Sequence, residues 1–108
     1  MYKGIIIENS LSNKDVLKKA RIDKTWQEGD WILHTVSLDE NQVVELSRSL
    51  DNGPWYIHVW QQGKDDVKVI YKDKLFDIKS SDKSTWTSAI EHGKSLGIPE
   101  EQLDFPIS

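Results

Sequence analysis

The stretch Gly53 to Trp60, GPWYIHVW, decides how this chain is read. A Gly-Pro break opens an extended segment. The two-residue alternation of a strand then sends Trp55, Ile57 and Val59 to one side and Tyr56, His58 and Trp60 to the other. A half-buried strand carries one polar face, and here neither face is polar. Both sides must meet something: core on both, or core on one and a ligand, a second chain or a covering segment on the other.

Downstream of this strand the sequence reads as a meander. The stretch Lys64 to Lys83 holds six Lys interleaved with Asp65, Asp66, Asp73, Asp77 and Asp82, a charge-balanced, solvated hairpin. A two-residue loop at Asp73-Lys74 sets Tyr71 against Phe76, Val69 against Ile78, Lys68 against Lys79 and Lys72 against Leu75, making one face wholly apolar. An odd-length loop around Gly63 aligns Ile57 and Val59 with Val67 and Val69, whereas an even one aligns His58 and Trp60 with them. The odd loop is favoured. Ser84 then caps a helix bearing Trp86, Ala89, Ile90, Gly93 and Leu96, which Gly97 closes with Ile98 as its apolar contact. Pro99 starts one more helical turn.

Upstream, Asp51-Asn52-Gly53-Pro54 ends a helix that starts at Asp39 with Gln42 three residues on, the spacing of a capping box; Val43, Val44, Leu46, Ser47 and Leu50 line it. Trp31 to Leu38, WILHTVSL, alternates as a strand. Arg21 to Asp30 reads as a loop turning at Gly29-Asp30, with Trp26 a cap over the core or the lip of a pocket. Ser12 to Asp15 offers a helix start ahead of Val16, Leu17 and Ala20, and Lys3 to Glu8 is a short apolar strand. The order is strand, helix, strand, helix, three strands, helix. It specifies an α+β fold: one domain, residues 1–108, with a mainly antiparallel sheet, a C-terminal three-strand meander and helices packed on it. With the helices on one face, the other carries Tyr56, His58, Trp60 and Ile70 among lysines.

Composition bounds the function. A chain of 108 residues buries roughly two-thirds of its unfolded surface in one core. Its 37% hydrophobic and 30% charged residues are those of a globular protein, and a net charge of -4 draws it to neither phosphate backbones nor anionic membranes. No nucleic-acid or membrane partner is therefore expected. Without Cys there is no disulfide, thiolate nucleophile or zinc-thiolate site. MYKGIIIENS has three consecutive Ile before Glu8, far short of a signal segment or of the roughly 20 apolar residues of a membrane span, so a cytoplasmic location is expected.

The stretches GDWILHTV, GPWYIHVW and SDKSTWTSAIEHGKSLGIPEEQLDFPI look like those of a set of small uncharacterised prokaryotic proteins of about this length. That resemblance covers most of the chain. It implies a compact stand-alone domain and carries over no activity and no functional residue.

The chemical candidates each have a plain structural competitor. His34 and His58 lie mid-strand on candidate neighbours and could share one space for a metal or a proton. Two His without H-x-H or H-E-x-x-H spacing are too few ligands, so neither metal nor cofactor is expected. Glu91 and His92 project about 100° apart on the last helix and do not form a dyad; His92 reads as exposed. The GKS of Gly93 to Ser95 lacks the preceding Gly and strand of a phosphate loop. An aromatic platform of Tyr56, Trp60 and Tyr71 for single-stranded nucleic acid is opposed by the aspartates.

Two functional expectations remain. The first is a small non-catalytic domain that binds a protein, most simply a second copy of itself as a homo-oligomer, through the Tyr56, His58 and Trp60 face. The second is a small-molecule binder or small enzyme whose pocket is walled by Trp26, Trp31, Tyr56 and Trp60, with His58 or His34 as its polar group. Binding has the better prior, because no nucleophile, base and orienter assemble from the sequence.

Overall fold

The computed structural model describes residues 1–105. They form one α+β domain built on a six-stranded sheet: β1 (Tyr2–Ile7), β2 (Arg21–Glu28), β3 (Trp31–Leu38), β4 (Ile57–Trp60), β5 (Asp66–Tyr71) and β6 (Lys74–Lys79). The strand order is β2-β3-β1-β4-β5-β6, with every neighbouring pair antiparallel. Three helices complete it, α1 (Asp15–Lys19), α2 (Glu40–Ser49) and α3 (Thr87–Ser95).

Helices pack on both faces of the sheet, which corrects the expectation of helices on one. Tyr2, Ile6, Val36, Leu38, Ile57, Val59 and Ile70 pack under Val16 of α1 and Val43 and Leu46 of α2. On the opposite face Val67, Val69, Tyr71 and Ile78 pack under Trp86, Ala89, Ile98, Leu103 and Phe105. The double-heavy strand at Ile57 to Trp60 follows directly, since each of its faces feeds a separate core. Ile70 belongs to the first core rather than beside His58 and Trp60. Between the two layers the backbones of β1 and β4 run close at Gly4, where an added Cβ would stand 2.7 Å from Val59 Cγ1 and 3.1 Å from the His58 carbonyl oxygen.

Two registers differ from the sequence reading. The β5–β6 turn is Lys72-Asp73, so Tyr71 pairs with Lys74, Val69 with Phe76 and Val67 with Ile78. Asp73 takes the left-handed conformation (φ 56°), a region Asp tolerates, and its amide donates to the Ser47 carbonyl of α2 at 3.2 Å. Moving the turn by one residue slides the partner strand by two, so the apolar residues keep their face while changing opposite numbers. Between β4 and β5 the loop is even rather than odd: Trp60 pairs with Val67 and His58 with Val69. Burial on both faces removed the polar-side signal that would have chosen between them.

The segment read as a loop at residues 21–30 is an edge strand. Its backbone pairs with β3 from Arg21↔Ser37 to Glu28↔Trp31 around the Gly29-Asp30 turn, with an irregularity at Asp23. Helix starts and stops follow side-chain chemistry. The Asp39 carboxylate accepts from the Gln42 amide at 2.8 Å and the Gln42 side chain accepts from the Asp39 amide at 2.8 Å, a reciprocal capping box. At α1 neither Ser12 nor the N-cap residue Lys14 supplies a side-chain cap, and Asn13 Oδ1 accepts from the Asp15 amide instead. At the last helix Asp82, rather than Ser84, accepts from the Ser84 amide and opens a tight turn over Lys83–Trp86 that runs into α3.

Gly97 ends α3 at φ 88°, with its amide on the Lys94 carbonyl and the Ile98 amide on the Gly93 carbonyl. This is the double-bonded left-handed cap, with buried Ile98 as its apolar contact. An added Cβ at Gly97 meets nothing within 4 Å, so the strain is in the backbone alone. Gly97→Ala is expected to destabilise the domain by about 1 kcal/mol, measured by chemical denaturation.

Candidate functional site

The six residues nominated by sequence do not gather in one place. His34 and His58 are separated by β1 and point to opposite faces: in the ladder His34 pairs with Ile6 of the first core, whereas His58 pairs with Val69 of the second. They share no space. His34 is buried. Its Nε2 lies 3.0 Å from Glu8 Oε1, to which Nε2–H donates, and its Nδ1 shares a hydrogen bond of 2.7 Å with the Thr25 hydroxyl. Lys14 Nζ stands 3.8 Å from Glu8 Oε2. This hydroxyl–imidazole–carboxylate chain ties the turn after β1 to β2 and β3. Sequence reasoning missed Glu8 and Thr25, since β2 was not recognised as the neighbour of β3.

The Tyr56, His58 and Trp60 row is roofed by the chain itself. The Tyr56 hydroxyl donates to the Gln102 carbonyl, and its ring stands 5.6 Å from Phe105 and 6.1 Å from Tyr71. Burial raises its pKa above the usual phenol value. The His58 ring lies 5.4 Å from Trp60 and 5.9 Å from Phe105. All three are half-buried, so the aromatic stripe is largely a wall of the second core.

His92, expected to be exposed, is half-buried with its ring 4.6 Å from Tyr71 and 5.6 Å from Phe76. Removal from water, and secondarily the Lys74 ammonium, lowers its pKa below 6.5. As pH falls the unfolded chain takes up this proton first, so the His92 contribution to stability is complete above pH 6.5 and is lost as pH drops through that value toward the lower folded one. His92→Gln is expected to flatten stability across that window, read from denaturation midpoints of both proteins on each side of it.

On the side of the second core, only the β4–β6 half of the sheet is roofed. The β1–β3 half leaves Ile5 44% and Trp31 46% exposed, with half-buried Ile7 and Trp26 beside them. Trp26 pairs with Leu33 across the β2–β3 ladder, with Lys24 Nζ 5.5 Å from its ring centre. It is therefore a strand residue on this open surface and neither caps the core from a loop nor lines the cleft beside it. Polar groups rim the surface: Lys3 Nζ donates to Ser37 Oγ at 2.7 Å, Ser37 Oγ donates to Asp23 Oδ2 at 2.9 Å, and Arg21 Nε reaches Asp23 Oδ1 at 3.1 Å.

Where β1 finishes and β3 begins, this surface dips into a cleft of about 350 Å³ lined by Ile7, Trp31, Pro54, Trp55, Tyr56 and Gln102. The Trp31 and Trp55 rings meet edge to face, 6.2 Å between centres at 64°, and form its corner. Trp55 is half-buried against the first core and Tyr56 against the second, so the seam between the two layers holds both rings in place. The Gly53 turn at φ 118° and the fixed φ of Pro54 deliver them there. Of the expected pocket walls, Trp31 and Tyr56 are present, while Trp26 and Trp60 are not among the lining residues. Ile7, Pro54, Trp55 and Gln102 were not anticipated.

Among the described residues no group of three or more His, Asp or Glu is disposed to hold a metal ion, and no helix is long and apolar enough to cross a membrane. Comparison of the chain with protein-family models, with curated proteins and with solved structures gives no match.

Proposed function

We propose that this protein is a non-catalytic binding domain whose ligand seats in the Trp31, Trp55 and Tyr56 cleft. The observation that carries this reading is the corner made by the two Trp rings beside Ile7 and Pro54, where Trp31 is 46% exposed while Trp55, Tyr56 and Ile7 are half-buried. Concave, mainly aromatic walls with one or two polar groups are what a small-ligand site requires. The polar side-chain groups of the lining residues are the Trp31 and Trp55 indole N–H donors, the Tyr56 hydroxyl, already donated to the Gln102 carbonyl, and the Gln102 amide. None is a nucleophile or a general base at neutral pH, which favours binding over catalysis. A fragment screen read by the indole N–H resonances tests the reading. Ligands that shift Trp31 and Trp55 and lose affinity in Trp31→Ala support it; fragments that move only resonances elsewhere sink it.

Self-association is a second reading, favoured by the exposure of Ile5 and Trp31 on the open β1–β3 surface. The rim of that surface carries Lys3, Arg21 and Lys24 together with Asp23 and Glu28, so a second copy of the chain offers the opposite charge to each. Sedimentation over a concentration series, with Ile5→Lys as the disrupting variant, tests it. A wild type that stays monomeric throughout eliminates the dimer.

A further inference from the structure

We infer that the cleft selects a small quaternary ammonium compound, a trimethylammonium group on a short chain; this rests on the reading of the cleft as the ligand site. Three kinds of observation lead to that ligand class. The first is ring count and placement. Trp31, Trp55 and Tyr56 all line one space, and the two indoles meet at 64° with centres 6.2 Å apart, so a rounded group seated in their corner touches more than one aromatic surface. The face of an indole is the most favourable aromatic surface for a cation, and rings converging on one volume are the usual receptor for a cation too heavily alkylated to accept hydrogen-bonded partners.

The second is the scarcity of hydrogen-bond acceptors among the lining side chains, since the indole N–H groups of Trp31 and Trp55 only donate. The Tyr56 hydroxyl is spoken for by the Gln102 carbonyl, and the remaining lining groups are Ile7, Pro54 and the Gln102 side chain. A primary ammonium would leave its N–H donors largely unpaired in such a site, whereas a methylated nitrogen has none to satisfy.

The third is charge. No Lys, Arg or His lines the cleft. The residues beside its walls in the chain are acidic: Asp30 precedes Trp31, and Glu100 and Glu101 precede Gln102. Among the described residues none of these three carboxylates belongs to an ion pair. The net charge of -4 favours the approach of cations over anions. A volume of about 350 Å³ lies at the small end of ligand sites and suits a molecule of choline size.

The test titrates the intact protein with choline, with tetramethylammonium and with the neutral carbon isostere of choline, in which a tert-butyl group replaces trimethylammonium. Indole resonances and Trp fluorescence report binding. Choline and tetramethylammonium should bind at the Trp31 and Trp55 resonances, and the isostere should bind at least about tenfold more weakly. Trp31→Phe, at an exposed ring, should weaken choline more than the isostere, and Asp30→Asn should weaken choline alone. Equal binding of choline and the isostere overturns the inference while leaving the cleft a ligand site. Failure of all three probes, in a protein that still binds neutral fragments at Trp31, overturns it in the same way; failure of every probe and every fragment removes the underlying reading as well.

Discussion

Phe105→Ala is expected to lower the stability of the domain by about 3–5 kcal/mol, the range for truncating a fully buried aromatic. Phe105 is 0% exposed, with Tyr56, His58 and Trp86 rings at 5.6, 5.9 and 5.3 Å from its own. It pins the segment after α3 onto β4, and Leu103 beside it is buried in the same cluster. Its loss opens a cavity against three aromatic rings that cannot collapse independently. The effect should also reach the cleft, because Tyr56 bonds to the Gln102 carbonyl on that segment. A urea midpoint unchanged from wild type would show that this segment is not part of the cooperative unit.

Tyr71→Ala should be at least as damaging, again about 3–5 kcal/mol for the ring. Tyr71 is 0% exposed, and its hydroxyl donates to the Ala89 carbonyl of α3 at 2.6 Å. Burial holds its pKa far above the usual phenol value, so that donor persists through the alkaline range. At Gly93 an added Cβ would stand 2.7 Å from the Tyr71 hydroxyl oxygen, so the helix lies directly on this ring. Tyr71→Phe separates the terms: it keeps the ring, removes the donor and should cost about 1–2 kcal/mol. Equal losses for the Ala and Phe variants in equilibrium denaturation would contradict the packing argument.

Much of the architecture could be read from local chemistry. The Asp39 and Gln42 spacing marks α2, Gly97 followed by Ile98 marks the end of α3, and WILHTVSL runs from Trp31 to Leu38 as β3 does. β2 escaped for a physical reason. RIDKTWQE is exposed along almost its whole length, so backbone pairing to β3, rather than apolar alternation, holds it. The β4–β5 register escaped because alternation chooses between parities only when one face is wet, and both faces of β4 and β5 are covered, whereas the β5–β6 register escaped because a slide by two leaves every residue on its own face. The cleft was legible in part. Trp31 and Tyr56 stand out as large aromatics near strand starts, but Ile7 is brought beside them only by the strand order β3-β1-β4, and Gln102 only by the return of the segment after α3.

The bulge at Asp23 has a further consequence. Strand β2 is one of the two edge strands of the sheet, and its eight residues of outer backbone are a template on which another polypeptide could lay a strand and begin fibril growth. The extra residue breaks the even spacing of that template between Ile22 and Lys24, just where Ile22 is 40% exposed. Arg21, Asp23 and Lys24 add charges that an incoming strand would have to strip of water. The irregularity therefore makes the β2 edge a poor template for sheet-edge aggregation.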